Sequence, residues 1–373
     1  MSGGGLLQYA SATDIFRAPD RNPVLITGGA GFIGTNLADR LASSGQPVIL
    51  FDNLSRAGVE KNLMWLSRKH GELIEFRRGD TRDSASIRPL VQRASTVFHF
   101  AAQVAVTDSL TDPTKDFDVN ARGTLNVLEA IRTSSNRPPI IFTSTNKVYG
   151  DLPHVEVRDR GRRYEPVNAA LAANGVSETM PLSFHSPYGC SKGTADQYVL
   201  DYARCFGLRT AVFRMSCIYG PHQFGTEDQG WVAHFLIRAL SDEPITLYGD
   251  GKQVRDLLFV EDLVNAFLAA REHIDSISAQ AFNIGGGPEN SISLLELLEM
   301  VGDMNRERPD IRFAGWRTGD QRYYVSDTGK FHAATGWSPK VGVEAGVSRL
   351  REWLLAASES PVHVPTVSRR AAR

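Results

Sequence analysis

A chain of 373 residues, 42% hydrophobic and 22% charged, suits one large or two medium globular domains with a sizeable core. Its formal net charge of −1 gives no electrostatic reason to expect nucleic acid or an acidic membrane surface as partner. No apolar run approaches the roughly 18 residues that span a bilayer, and the three cysteines (Cys190, Cys205, Cys217) lack the spacing of a disulfide framework or a metal site.

Residues 1–21 open with Gly3-Gly4-Gly5 and read as a flexible extension. Asp14, Arg17 and Asp20 interrupt its weak apolarity, so it does not match a signal peptide, and a cytoplasmic, soluble protein is expected. Short apolar runs then alternate with helical patterns. Val24-Leu25-Ile26 precedes a glycine-rich turn and a helix with Ile33, Leu37 and Leu41 on one face. Val48–Phe51, Ile74–Phe76 and Val97–Phe100 are the next strands. A helix over 114–134 leads to Ile140–Phe142, and one over 187–206 leads to Thr210–Phe213. Strands separated by such helices predict a doubly wound α/β fold of Rossmann type, its parallel sheet covered on both faces. Residues 22–215 are expected to form the cofactor domain and 216–359 a smaller substrate-binding cap, with segments near 252–285 returning to the first domain. The end, 360–373, reads as a solvated tail despite Arg369, Arg370 and Arg373.

The first turn reads Thr27-Gly28-Gly29-Ala30-Gly31-Phe32-Ile33-Gly34. Gly28 permits the tight turn and Gly31 lets the backbone approach a pyrophosphate, whose charge meets the free N–H groups at Phe32 and Ile33. Gly34 allows close packing of helix on sheet. Asp52, with Asn53, ends the second strand, where a carboxylate accepts from both ribose hydroxyls and repels a 2′-phosphate. NAD is therefore expected over NADP, with Arg56 nearby as the opposing charge. Asp80, followed by Thr81, either meets an adenine amino group or caps a helix.

Tyr188 and Lys192 stand at i and i+4, on one helix face. That places an ammonium where it favours ionisation of the phenol, so that Tyr188 exchanges a proton with a substrate hydroxyl. Thr145, in Thr143-Ser144-Thr145-Asn146-Lys147 at the end of the Ile140–Phe142 strand, completes a Thr–Tyr–Lys relay.

By these motifs the chain resembles the extended short-chain dehydrogenase/reductases that act on nucleotide-activated sugars. His99-Phe100-Ala101-Ala102-Gln103, Asn120, Arg255-Asp256 and Gly319-Asp320-Gln321-Arg322 carry the same resemblance. It implies that Ala101, Ala102, Gln103 and Asn120 join Tyr188 and Lys192 around NAD. Ser144, Asn146, Lys147 and Gln223 would lie beside the substrate, and Arg255 and Arg322 on its pyrophosphate or nucleoside. No metal is implied, and a homodimer through the helices near 114–134 and 187–206 is, with a tetramer as the larger assembly.

Dehydratases of that family need an acid and a base directly after the Ser/Thr; here those positions hold Asn146 and Lys147. Elimination is thereby disfavoured, and a decarboxylase, which keeps a glutamate at the second position, likewise. What remains is epimerisation by oxidation and reduction with an NAD that stays bound. The strings Ser144–Leu152, Phe184–Gly193 and Asp228-Gln229-Gly230-Trp231 are similar to the CDP-paratose (CDP-tyvelose) 2-epimerases, which implies inversion at C2 through a 2-ketosugar. A C4 epimerase would share the triad. A non-catalytic NAD sensor on this fold would be expected to lose Tyr188 or Lys192. Met215 and Cys217 depart from the 2-epimerase pattern; Cys217 reads as a packed small hydrophobe, and His185 and His222 as either pocket or loop histidines.

Overall fold

A computed structural model describes residues 22–306 and 308–359; the two expected flexible ends lie outside the described residues. Seven strands form the central sheet: β1 (Val24–Thr27), β2 (Val48–Asp52), β3 (Ile74–Arg78), β4 (Thr96–His99), β5 (Ile140–Thr145), β6 (Thr210–Met215) and β7 (Gln280–Ile284). Their order across the sheet is β7-β6-β5-β4-β1-β2-β3, and every neighbouring pair is parallel.

Alternation along the strands explains why both faces are covered. Val24 and Ile26, with Val48 and Leu50, pack on one side against Leu37 and Leu41 of helix α1 (Phe32–Ser43). On that side too lie Ala266 and Phe267 of a later helix, Val260–Glu272. Leu25, Ile49, Phe142 and Val212 point the other way. They meet Ile87 and Leu90 of α2 (Ser84–Val91), Val127 and Ile131 of α3 (Gly123–Arg132), and Val199 of α4 (Ser186–Phe206). Side chains of this size, fully buried, each stabilise the fold by about 1.5–3 kcal/mol. A separate core of Phe235, Leu236, Leu247, Leu257, Leu297 and Leu350 builds a smaller cap over the carboxyl ends of the strands.

The helix expected over 114–134 is not continuous. A short helix, Pro113–Phe117, capped by Asp112 on Lys115 N at 2.9 Å, runs into a wide π turn over Asp118–Arg122 before α3 starts. Gly123 follows that turn, where a Cβ would lie 2.6 Å from Thr81 Oγ1. The extra residue of a π turn re-aims the side chains beyond a regular helix. Here it directs Asn120 toward the loop at Gln103 and toward Ser191.

Candidate active site

A cleft of about 1180 Å³ opens where the glycine turn, the ends of β2 to β6 and the cap converge. The crevice outside the carboxyl ends of an open parallel sheet is the expected ligand position.

At one end Gly28 holds φ +67°, and a Cβ there would sit 2.8 Å from Ala101 N. A Cβ on Gly34 would lie 2.5 Å from Gly28 O, so the turn closes on α1 only without side chains. No side chain caps the α1 N-terminus at Gly31, and its first turn carries no acidic residue, which leaves N–H groups free for an anion. Asp52 lies at the end of β2 with its carboxylate anchored by Ala30 N at 3.1 Å and Leu54 N at 2.8 Å. Burial raises its pKa, and those two backbone donors and Arg56 oppose the rise. Asp80 does not cap α2; Asp83 does, through Ala85 N at 3.0 Å. Asp80 instead accepts from Asn53 Nδ2 at 2.8 Å and from Arg82, whose guanidinium holds its carboxyl down at about 2. The cradle, the open helix end and the anchored carboxylate fit an NAD.

At the centre, β5 delivers Thr145 and α4 delivers Tyr188 and Lys192. Lys192 Nζ donates to Thr143 O at 2.6 Å and lies 4.3 Å from the Phe142 ring centroid. Burial drives this ammonium down to about 7, against the pull of Asp196 and Asp116. Burial also pushes the Tyr188 phenol up to about 12, and a hydrogen bond with Thr145 only partly offsets it. Lys192 was expected to favour the ionised phenol; in the structure its ammonium is turned to a backbone carbonyl, and burial outweighs the other influences on Tyr188.

Asn146 and Lys147 both face the loop 319–321. Asn146 Nδ2 donates to Gln321 Oε1 at 3.5 Å, and Lys147 Nζ to Gly319 O at 2.8 Å. Arg255 Nη2 joins the same loop through Asp320 Oδ1 at 2.6 Å.

Residues 24–285 match the family described as "NAD dependent epimerase/dehydratase family". The chain belongs to that family.

Among its relatives is a CDP-paratose 2-epimerase of Salmonella typhi, 46% identical over 339 residues, a match covering 88% of this chain and 98% of that protein. A UDP-glucose 4-epimerase of Thermotoga maritima, solved with UDP-glucose, superposes with a TM-score of 0.77 at 31% identity, over 90% of this chain and 100% of that one. A UDP-glucose 4-epimerase of Thermus thermophilus, in complex with NAD, gives 0.75 at 32%, over 90% and 99%. The chain is thus an enzyme of the epimerase/dehydratase family with a Rossmann-type sheet.

Two of the residues read from the sequence as site members do not line the cleft of this family member. Asn120 is buried behind it, where Oδ1 accepts from Gln103 N at 2.9 Å; the wide turn aims it at the loop rather than at a ligand. Arg322 is exposed and lies 5.6 Å from the Tyr164 ring centroid, on the outer side of the loop. Arg317 enters the cleft instead, stacked 3.9 Å from the Tyr248 ring centroid. Neither histidine lines the cleft: His185 pairs with Asp151 at 3.1 Å, and His222 packs on Trp65. Cys217 does line it, its Sγ accepting from Trp231 Nε1 at 3.3 Å, and burial raises the thiol so that it stays neutral.

Sequence reasoning missed the buried polar atoms that face the cleft without a partner. Ser144 Oγ and Gln223 Oε1 were expected there, but Gln229 Oε1 and Gln253 Oε1 share their state. An unpaired buried polar atom costs about 1–3 kcal/mol, so these four and Thr107 Oγ1, all around one cleft, mark where polar ligand atoms belong. Gln229 and Gln253 each stood in a string shared with sugar epimerases, Asp228–Trp231 and Gly251–Asp256, which was their one signal.

Proposed function

We propose that this enzyme inverts C2 of a sugar carried on a nucleoside diphosphate, of the CDP-paratose/CDP-tyvelose type, with a tightly held NAD recycled at each turnover. One observation carries the choice of epimerisation: the two positions after Thr145, where elimination needs an acid and a base, hold Asn146 and Lys147, both turned to the loop 319–321. The 46% identity to a CDP-paratose 2-epimerase supports C2 and a cytidine nucleotide.

A sugar C–H without an adjacent carbonyl is not acidic, so inversion requires oxidation first. NAD, when bound, supplies the hydride acceptor and donor and, while oxidised, a positive charge that favours the Tyr188 phenolate. Gly28, Gly31 and the first turn of α1 would hold its pyrophosphate, Asp52 a ribose, and Lys192 the site around its reactive ring. Tyr188 takes the proton of the C2 hydroxyl, with Thr145 hydrogen-bonded to the phenol. The planar 2-ketosugar turns while its diphosphate stays held at Arg255, so that the hydride carried by the reduced cofactor would reach the other face of C2, and Tyr188 returns the proton to the C2 oxygen. We propose a homodimer for the assembly, because Leu110, Phe117, Tyr198 and Phe206 are exposed on the helices flanking the site.

The test is a panel of CDP-, UDP-, GDP- and dTDP-sugars read by NMR, with NAD released on denaturation measured alongside. Inversion at C2 on the CDP-sugar is expected. Inversion at C4 replaces the carbon, and absence of both inversion and released NAD overturns the proposal.

A further inference from the structure

Helix α4 carries Tyr188, Ser191 and Lys192 on one face. Against that face lies Asp116, near the end of the short helix Pro113–Phe117 and only 1% exposed. Its Oδ2 accepts from Ser191 Oγ at 2.5 Å, and its Oδ1 from Asn120 Nδ2 at 3.2 Å. Both partners are neutral. A buried carboxylate held only by neutral donors keeps an uncompensated charge, which costs several kcal/mol unless a cation lies close by.

The cation on that helix face is Lys192. Asp196, one turn further along α4, is the other carboxylate beside it, but Arg214 already grips Asp196 through two nitrogens at 2.9 and 3.0 Å. The remaining groups around the ammonium bring no negative charge. These are the neutral phenol of Tyr188 on the same helix, the Thr143 carbonyl and Phe142 ring on β5, and His99 on β4, which burial holds uncharged at about 3.

We propose that Asp116 is the counter-ion of Lys192, keeping that lysine cationic in a dry site, and is thereby a positioning residue for proton exchange at Tyr188. The inference rests on the hydride-transfer reading of this site for its consequence, but not for its geometry. It is consistent with the electrostatics: Asp116 raises both the Lys192 ammonium and the Tyr188 phenol against or alongside burial. The π turn acquires a purpose too, since it directs Asn120 to hold the carboxylate in place.

The sign follows directly. Removing the negative charge lowers the affinity of both groups for a proton, so both titrate at lower pH. Asp116→Asn keeps the shape: its amide can donate to Ser191 Oγ, whose own proton then goes to Tyr188 O, 3.2 Å away. The full-length, NAD-loaded protein is labelled with ε-13C-lysine and titrated by NMR without substrate. The Lys192 signal is identified by its loss in Lys192→Gln.

Asp116→Asn should move the Lys192 midpoint down by about one pH unit, and both limbs of the pH–rate profile should follow. Ser191→Ala, which leaves the charge in place, should leave the midpoint where it is. Asp116→Ser serves as a second uncharged variant should the asparagine protein not fold. An unmoved midpoint in a folded uncharged variant overturns the proposal. So does an equal shift in Ser191→Ala, which assigns Asp116 a purely structural part. If the wild type epimerises nothing while the midpoint still shifts, the function proposed above fails and the counter-ion stands.

Discussion

Burial treats the two central side chains in opposite directions on paper but with one effect in practice: it disfavours charge on both. Tyr188 is held neutral up to about 12, and Lys192 gives up its proton near 7. Tyr188→Phe removes the exchangeable proton while leaving the ring in place. Epimerisation should fall by about 10²–10⁴-fold, with NAD content on denaturation unchanged; substantial residual turnover would remove the phenol from the chemistry. The lysine makes a prediction about stability. Its folded value is lowered from 10.5 to about 7, so between those pH values the unfolded chain binds more protons than the folded one. Stability therefore rises with pH through that window, and the cost is fully present below it. Relative to Lys192→Met, the wild type should gain about 2 kcal/mol between pH 7 and pH 9 in urea unfolding. A constant gap would show that Lys192 is charged and satisfied throughout. The i, i+4 spacing of the pair was readable in the sequence. Its electrostatic outcome was not, because Thr143 meets Lys192, and Asp116 meets the neighbouring Ser191, only through the fold.

At the level of elements, the glycine turn and the βαβ alternation were legible because each rests on local chemistry: a missing Cβ, a period of two, a period of 3.6. Gly34→Ala tests the tightest of these contacts. Its new methyl would meet Gly28 O at 2.5 Å and Gly29 Cα at 2.7 Å, both backbone atoms that cannot swing aside. A loss of about 1–3 kcal/mol should appear as a lower Tm, together with less NAD retained through gel filtration. Unaltered retention would mean that the turn has slack. The π turn over Asp118–Arg122 was illegible because Val119, Ala121, Val127, Leu128 and Ile131 mimic a continuous apolar stripe. One inserted residue leaves such a stripe looking intact, yet it moved Asn120 from the cleft to the scaffold behind it.

Across the whole molecule, a parallel sheet with a cleft at its carboxyl ends was legible from the alternation of strands and helices, whereas which cap residues line the cleft was not. The cap loops carry few periodic signals, so Arg322 was read as a site member although Arg317 is the one of the two that lines the cleft. The proposed dimer belongs to this scale. Phe117→Glu with Tyr198→Glu sets charges on the exposed face of the two helices and should shift sedimentation from dimer to monomer. A dimer that persists puts the interface elsewhere. The loop 319–321 has a consequence of a mechanical kind. It is fastened by Asn146 and Lys147, on the short turn that follows β5, and by Arg255 on the strand Val254–Phe259. A sugar that must rotate inside such a housing is a shaft in a rigid bearing: clearance, not grip, governs how fast it turns. Bulkier sugars on the same nucleotide should therefore lose kcat while KM holds, since the anchored diphosphate still binds when the ring can no longer swing.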